Sequence, residues 1–124
     1  VKEKYDIVCQ GLDDVLKKHG YEREGMHYRA VKSNNDTIVF FCHFGVECVL
    51  LSHLINVSPM ILWHGFCALP SSITSVYTEE RRPGIAGFRI NEFGSTAHLY
   101  AADRKPSFSA RFCECYANIN ERQD

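Results

Sequence analysis

The sequence has no apolar stretch approaching the roughly 20 residues that a helix needs to cross a bilayer. A membrane partner is therefore not expected. It has no long run of like charge, and 14 Lys and Arg almost balance 15 Asp and Glu, for a net charge of −1. Nucleic-acid binders gather basic residues on one face, so no nucleic-acid partner is expected either. Its six cysteines contain no C-x-x-C pair, which removes the commonest zinc and redox signature. There is no G-x-S-x-G elbow, which disfavours a serine nucleophile at Ser71 or Ser72. Internal repeats and low-complexity linkers are also missing.

What remains is the composition of a globular chain, 45% hydrophobic and 23% charged. A length of 124 residues suits one domain or part of one. The start, Val1-Lys-Glu-Lys-Tyr, is amphipathic rather than signal-like. It lacks Met, as a processed, truncated or tag-cleaved end would. Most of the cysteines read as free thiols serving as small apolar residues, which fits a reducing, cytoplasmic compartment.

Apolar spacing predicts a first helix over residues 4–19, with Tyr5, Val8, Leu12, Val15, Leu16 and His19 on one face and Gly20 as its stop. Residues 21–30 read as a short strand or loop with a turn at Gly25, and Lys32–Asp36 as a polar turn. Residues 59–69 read as a short helix or an irregular packed segment. Ile73–Thr78 and Ile85–Phe93 alternate, which predicts an antiparallel hairpin closed by a charged loop over Glu79–Gly84. Gly94–Leu99 reads as a turn. A last amphipathic helix is expected after Ser107, with Phe108, Phe112, Cys115, Tyr116 and Ile119 on its face.

The organising stretch is Thr37–Gly45, Thr-Ile-Val-Phe-Phe-Cys-His-Phe-Gly, running into Val46–Ile55. The first part reads as a strand buried on both faces. The second carries helical spacing, with Val46, Val49, Leu50, His53 and Leu54 on one face, which Leu51 and Ile55 widen. A histidine where a buried strand ends, followed by a glycine that opens a helix, is where α/β proteins place ligand chemistry. An imidazole there suits an anion: protonated it pairs with the charge, and neutral it exchanges a proton. The arrangement predicts an α/β class with a central sheet.

Three segments resemble the histidine phosphatase superfamily, also called phosphoglycerate mutase-like. Thr37–Gly45 resembles the family's second-histidine segment, a buried strand ending in His-Gly-Gly or His-X-Gly. Leu69-Pro-Ser-Ser-Ile-Thr-Ser-Val76 resembles the Ser/Thr-rich approach to its next strand. Phe93-Gly-Ser-Thr-Ala-His-Leu99 resembles its late Asn/Gly-Asp-Thr-Ser/Ala-His-Leu segment. The resemblance covers about residues 37–99. It implies a three-layer α/β/α phosphoglycerate mutase-like fold, here its C-terminal portion, built on a central strand-His-helix unit and an antiparallel hairpin.

The family's nucleophile is the His of an Arg-His-Gly motif, and no Arg-His pair occurs in this sequence. The family's second phosphate-binding Arg and its acid/base carboxylate have no counterparts either. The resemblance thus implies that residues 1–124 are a single, partial domain. The parent would be a hydrolase, or less readily a mutase, acting on a small phosphorylated metabolite through a phosphohistidine. His43 would be the second pocket histidine, binding phosphoryl oxygens, with Phe44, Gly45 and Ser71 lining the substrate. Phe44 stands where Gly is common in the family, which would narrow the pocket mouth. No cofactor or metal is required. The isolated chain is expected to be inactive, and to pair with its missing N-terminal half or with a second copy.

Two other readings compete. One is a non-catalytic binding or self-association module using an exposed sheet edge. The other is a zinc site from His43, Cys42, Cys48 and His98, weakened because Cys42 and His43, adjacent on a strand, would point to opposite faces. His98 and His64 read as structural or packing residues, His53 as a satisfied core histidine, and His19 and His27 as exposed. Arg81 and Arg82 read as part of a solvated turn rather than as phosphate ligands.

Overall fold

The structure, a computed structural model, describes residues 1–107. The helix expected after Ser107 lies outside the described residues. Helix α1 (Lys2–Lys18) buries Cys9, Leu12 and Leu16, three positions one turn apart on the face that the apolar spacing predicts. It stops at Gly20, whose φ of +89° places it in the left-handed region, and whose N–H donates to Lys17 O at 3.2 Å. A side chain there would meet Lys32 Cγ at 2.8 Å.

Residues 21–30, open between strand and loop in the sequence, form a hairpin of β1 (Tyr21–Glu24) and β2 (His27–Ala30). Gly25, at φ +60°, makes its turn. Strands β3 (Ile73–Arg82) and β4 (Ile85–Ser95) form the expected second hairpin, longer than predicted. Its charged residues belong mostly to β3, leaving Pro83 and Gly84 as a tight turn with Gly84 at φ +83°. The four strands form one antiparallel sheet in the order β1-β2-β4-β3. The class is mixed α/β.

Ala86, Phe88 and Ile90 alternate along β4 and share one face. On that face Tyr28 and Ala86, paired across β2 and β4, pack with Leu12 and Leu16, flanked by Leu50, Leu54 and Phe88. Beside them Cys48, Leu51 and Leu62 form a second cluster with Val76, Ile90 and Phe93. These clusters hold α2 (Phe44–Ile55) and α3 (Pro59–Gly65). The predicted face of α2, widened by Leu51, holds in part: α2 is covered on two sides, by Leu50 and Leu54 and by Cys48 and Leu51, while Val46 is exposed. The sheet's other face carries exposed charge, with Arg89 Nε 2.5 Å from Glu79 Oε2 and Arg29 paired to Glu22. Arg81 Nε also reaches Glu79, at 2.8 Å. A short α4 (Ala97–Ala101) follows β4, where a turn was expected.

The central strand is the main correction. Residues 37–42 form no strand. Phe41 is 98% exposed and Val39 67% exposed, while Ile38 alone packs against the Leu12–Tyr28 cluster. Cys42, expected in a buried run, is exposed. An apolar run becomes a doubly buried strand only where strands flank it. The antiparallel sheet here is complete without this segment, and none of its four strands pairs with it. The preceding loop is tied to the end of α1, where Asn34 Nδ2 donates to His19 O at 2.7 Å and His19 Nδ1 lies 2.8 Å from Asp36 Oδ2.

Candidate functional site

His43 is the N-cap of α2, with extended φ/ψ of −83° and 159°. Its C=O accepts the Glu47 N–H at 3.0 Å, closing the first helical turn. Its side chain makes no capping bond and is exposed. The predicted helix therefore begins two residues earlier than its apolar spacing indicates, and His43 stands at its start. The next residue, Phe44, stacks on Trp63 of α3, with ring centroids 5.7 Å apart and planes at 26°. It is packed into the helix pair, alongside Cys48 and Leu51.

Gly45 has a steric reason to be glycine. A Cβ at that position would lie 2.9 Å from Trp63 Cζ3, closer than real contacts allow. The bare backbone lets α3 lie tight against the first turn of α2. Ser58 starts α3 by accepting the Met60 N–H at 3.3 Å, with Pro59 in the first helical position where its missing N–H costs nothing. The short helix allowed over residues 59–69 thus begins at Pro59 and ends at Gly65.

Two sets of polar contacts fix α2 at opposite ends. At its start, Thr74 on β3 donates its hydroxyl to Glu47 Oε1 and accepts the Gly94 N–H at 3.1 Å. At its end, Asn56 closes the helix in the left-handed region at φ 60°. Arg23 of β1 donates to His53 O at 2.9 Å and to Asn56 Oδ1 at 2.8 Å, setting a cation against the negative helix terminus. The guanidinium also lies 5.0 Å from the Tyr28 ring centroid. His53 Nε2 lies 3.0 Å from both Asp13 oxygens, and Tyr28 donates its hydroxyl to Asp13 at 2.6 Å. His53 is thus a satisfied histidine of the α1–α2 contact, as expected. Burial, and next the Asp13 carboxylate accepting its proton, hold the Tyr28 phenol well above its ordinary range.

Partial desolvation at the surface raises the Cys42 thiol and full burial raises that of Cys48, with the Glu47 charge acting in the same direction on both. Cys42 is pushed up, and Cys48 is pushed up to about 11. Neither is an activated nucleophile.

No family model, curated protein or solved structure matches the chain.

Of the predicted site residues, His43, Phe44 and Gly45 are contiguous at one helix end, with Phe44 and Gly45 engaged by Trp63. Ser71 lies elsewhere in the chain, exposed in the turn before β3 at φ +64°. No described contact joins Ser71 to His43. His64 closes α3 and His98 lies in α4, both exposed rather than packed. Among the described residues, no group of three or more His, Cys, Asp or Glu is placed to hold a metal ion. No described helix is long and apolar enough to cross a membrane. Sequence reasoning missed Thr74 and Glu47. Their contact spans 27 positions, and nothing in local spacing announces it.

Proposed function

We propose that the chain is the C-terminal part of a histidine phosphatase-like protein, in which His43 binds the phosphoryl group of a small phosphorylated metabolite. One observation carries this reading: His43 caps α2 through its backbone and leaves its imidazole exposed at the positive end of the helix. An anion held there would meet a ring nitrogen, the dipole of α2 and the first-turn amides together. The motif resemblance supplies the class of anion. Covalent transfer would require a nucleophilic His from an Arg-His-Gly motif, which this sequence lacks. In the parent, that residue would take the phosphoryl group in line, with His43 steadying its oxygens, before hydrolysis or re-transfer. The three-layer arrangement would follow once a second half supplied strands beside residues 37–42.

An aryl phosphate assay on the purified chain tests this. The expected result is no turnover. Robust turnover that His43→Ala abolishes would overturn the half-domain reading, because the activity would then need no nucleophilic histidine from outside this chain.

The exposed side chains of Val39 and Phe41 favour a second reading, a non-catalytic module that pairs with another chain or copy. Light scattering separates the two uses of that segment. A concentration-dependent dimer supports self-association, and a monomer at all concentrations removes it.

A further inference from the structure

Strand β3 lies at one edge of the sheet and pairs with β4 alone. Its register with β4 is regular from Val76, opposite Ile90, to Glu80, opposite Ala86, and shifts on either side of that stretch. Alternate residues of a strand turn their N–H and C=O groups to opposite neighbours, so part of this backbone faces away from β4. Among the described residues, no hydrogen bond outside the β3–β4 ladder reaches the backbone of Val76–Glu80. An edge of this kind is a template for a further strand.

The same chain carries a strand former that has no sheet. Residues 38–42 are Ile-Val-Phe-Phe-Cys, mostly β-branched and aromatic side chains of the sort that fit a pleated surface. They belong to no helix or strand, and among the described residues no hydrogen bond reaches their backbone. Ile38 is anchored on its own core, while Val39, Phe40 and Phe41 are exposed.

Charge decides which strand suits the edge. Glu79 and Glu80 both lie in the regular stretch of β3. Two β3 edges paired through it would gather two carboxylates from each copy on one short ladder, and like charges across strands are destabilising. Residues 38–42 carry no charge and add no repulsion. Donor and acceptor are present in one chain and are not joined within it, which favours a second copy as the occupant.

We propose that residues 39–42 of one copy add to the β3 edge of a second copy as a fifth strand, along Val76–Glu80. The proposal rests on the self-association reading of the exposed 37–42 segment and is independent of phosphoryl binding at His43. Each copy offers one donor strand and one acceptor edge. Reciprocal addition closes a dimer, and one-way addition builds longer assemblies.

The test is hydrogen exchange of the full 124-residue chain across a range of concentrations, with light scattering on the same samples. The expected result is an assembly that grows with concentration, with exchange slowed at residues 39–42 and at Val76–Glu80 together, and both effects lost on dilution. Neighbouring residues of a strand aim their N–H groups to opposite sides. At least one of Phe40→Pro and Phe41→Pro therefore removes a bond to the β3 edge and lowers the assembled fraction. If those variants fail to fold, the exchange pattern of the unaltered chain still decides. An assembly in which Val76–Glu80 exchanges as in the monomer, or which survives both prolines, overturns the inference and leaves the self-association reading standing. A monomer at every concentration overturns both.

Discussion

At the residue scale, the sharpest constraints come from side chains that the structure forbids or hides. Gly45 is one. Alanine there would drive a methyl group to 2.9 Å from Trp63 Cζ3, so α3 must move away or α2 must shift. Overpacking of this kind costs about 1–3 kcal/mol. Trp63 is the chain's single tryptophan, so its fluorescence reports the displacement directly. We expect Gly45→Ala to lower the thermal midpoint and change the emission maximum, checked by melting and emission spectra. Cys48 is another. Its folded thiol is pushed up to about 11 from an ordinary value of 9.0, chiefly by burial. Between these values the unfolded chain loses the proton while the folded chain keeps it. This contribution to stability is therefore complete below pH 9 and falls away as pH rises towards 11. Denaturation midpoints measured across that range should fall less steeply in Cys48→Ala.

At the scale of elements, the sequence was most legible where local pattern and final neighbours agree. The 73–95 hairpin alternates because one face packs on α1 and α2 and the other is wet. Gly20 and Asn56 end their helices where only left-handed backbone fits. Residues 37–42 misled for a physical reason. Six consecutive apolar or β-branched residues indicate burial, but burial depends on partners that a local pattern does not name. Here only Ile38 finds the core. We therefore expect Phe41→Ser to change the stability of this chain by less than about 0.5 kcal/mol, as exposed substitutions do. Ile38→Ser should cost more, because it removes an apolar contact with the Leu12–Tyr28 cluster. Urea denaturation of both variants checks the contrast. Equal, large losses would mean that residues 37–42 are buried after all. The site was half legible for the same reason. His43, Phe44 and Gly45 were found because they are contiguous. Thr74 was missed because its role depends on a bulge and on a carboxylate 27 residues earlier. Ser71 was included through a motif that places no contact with His43.

At the scale of the whole molecule, a two-sided pattern stands out. One face of the sheet is sealed by α1, α2 and α3, and the other is laced with ion pairs. The Glu79 carboxylate, held below its ordinary range by Arg81 and then Arg89, marks that second face as charged and solvated. Among the described residues, the large exposed apolar side chains include Val39 and Phe41, just before His43, and Trp63, which stacks beside the start of α2. The candidate site thus lies beside apolar surface of the kind that partners cover. Phosphoryl binding at His43 is the proposed function. Its most direct test is a titration of the purified chain with inorganic phosphate, followed at the histidine ring resonances. A saturable shift is expected at His43, with His64 and His98 unchanged. No shift at His43, or the same shift at every exposed histidine, would contradict it.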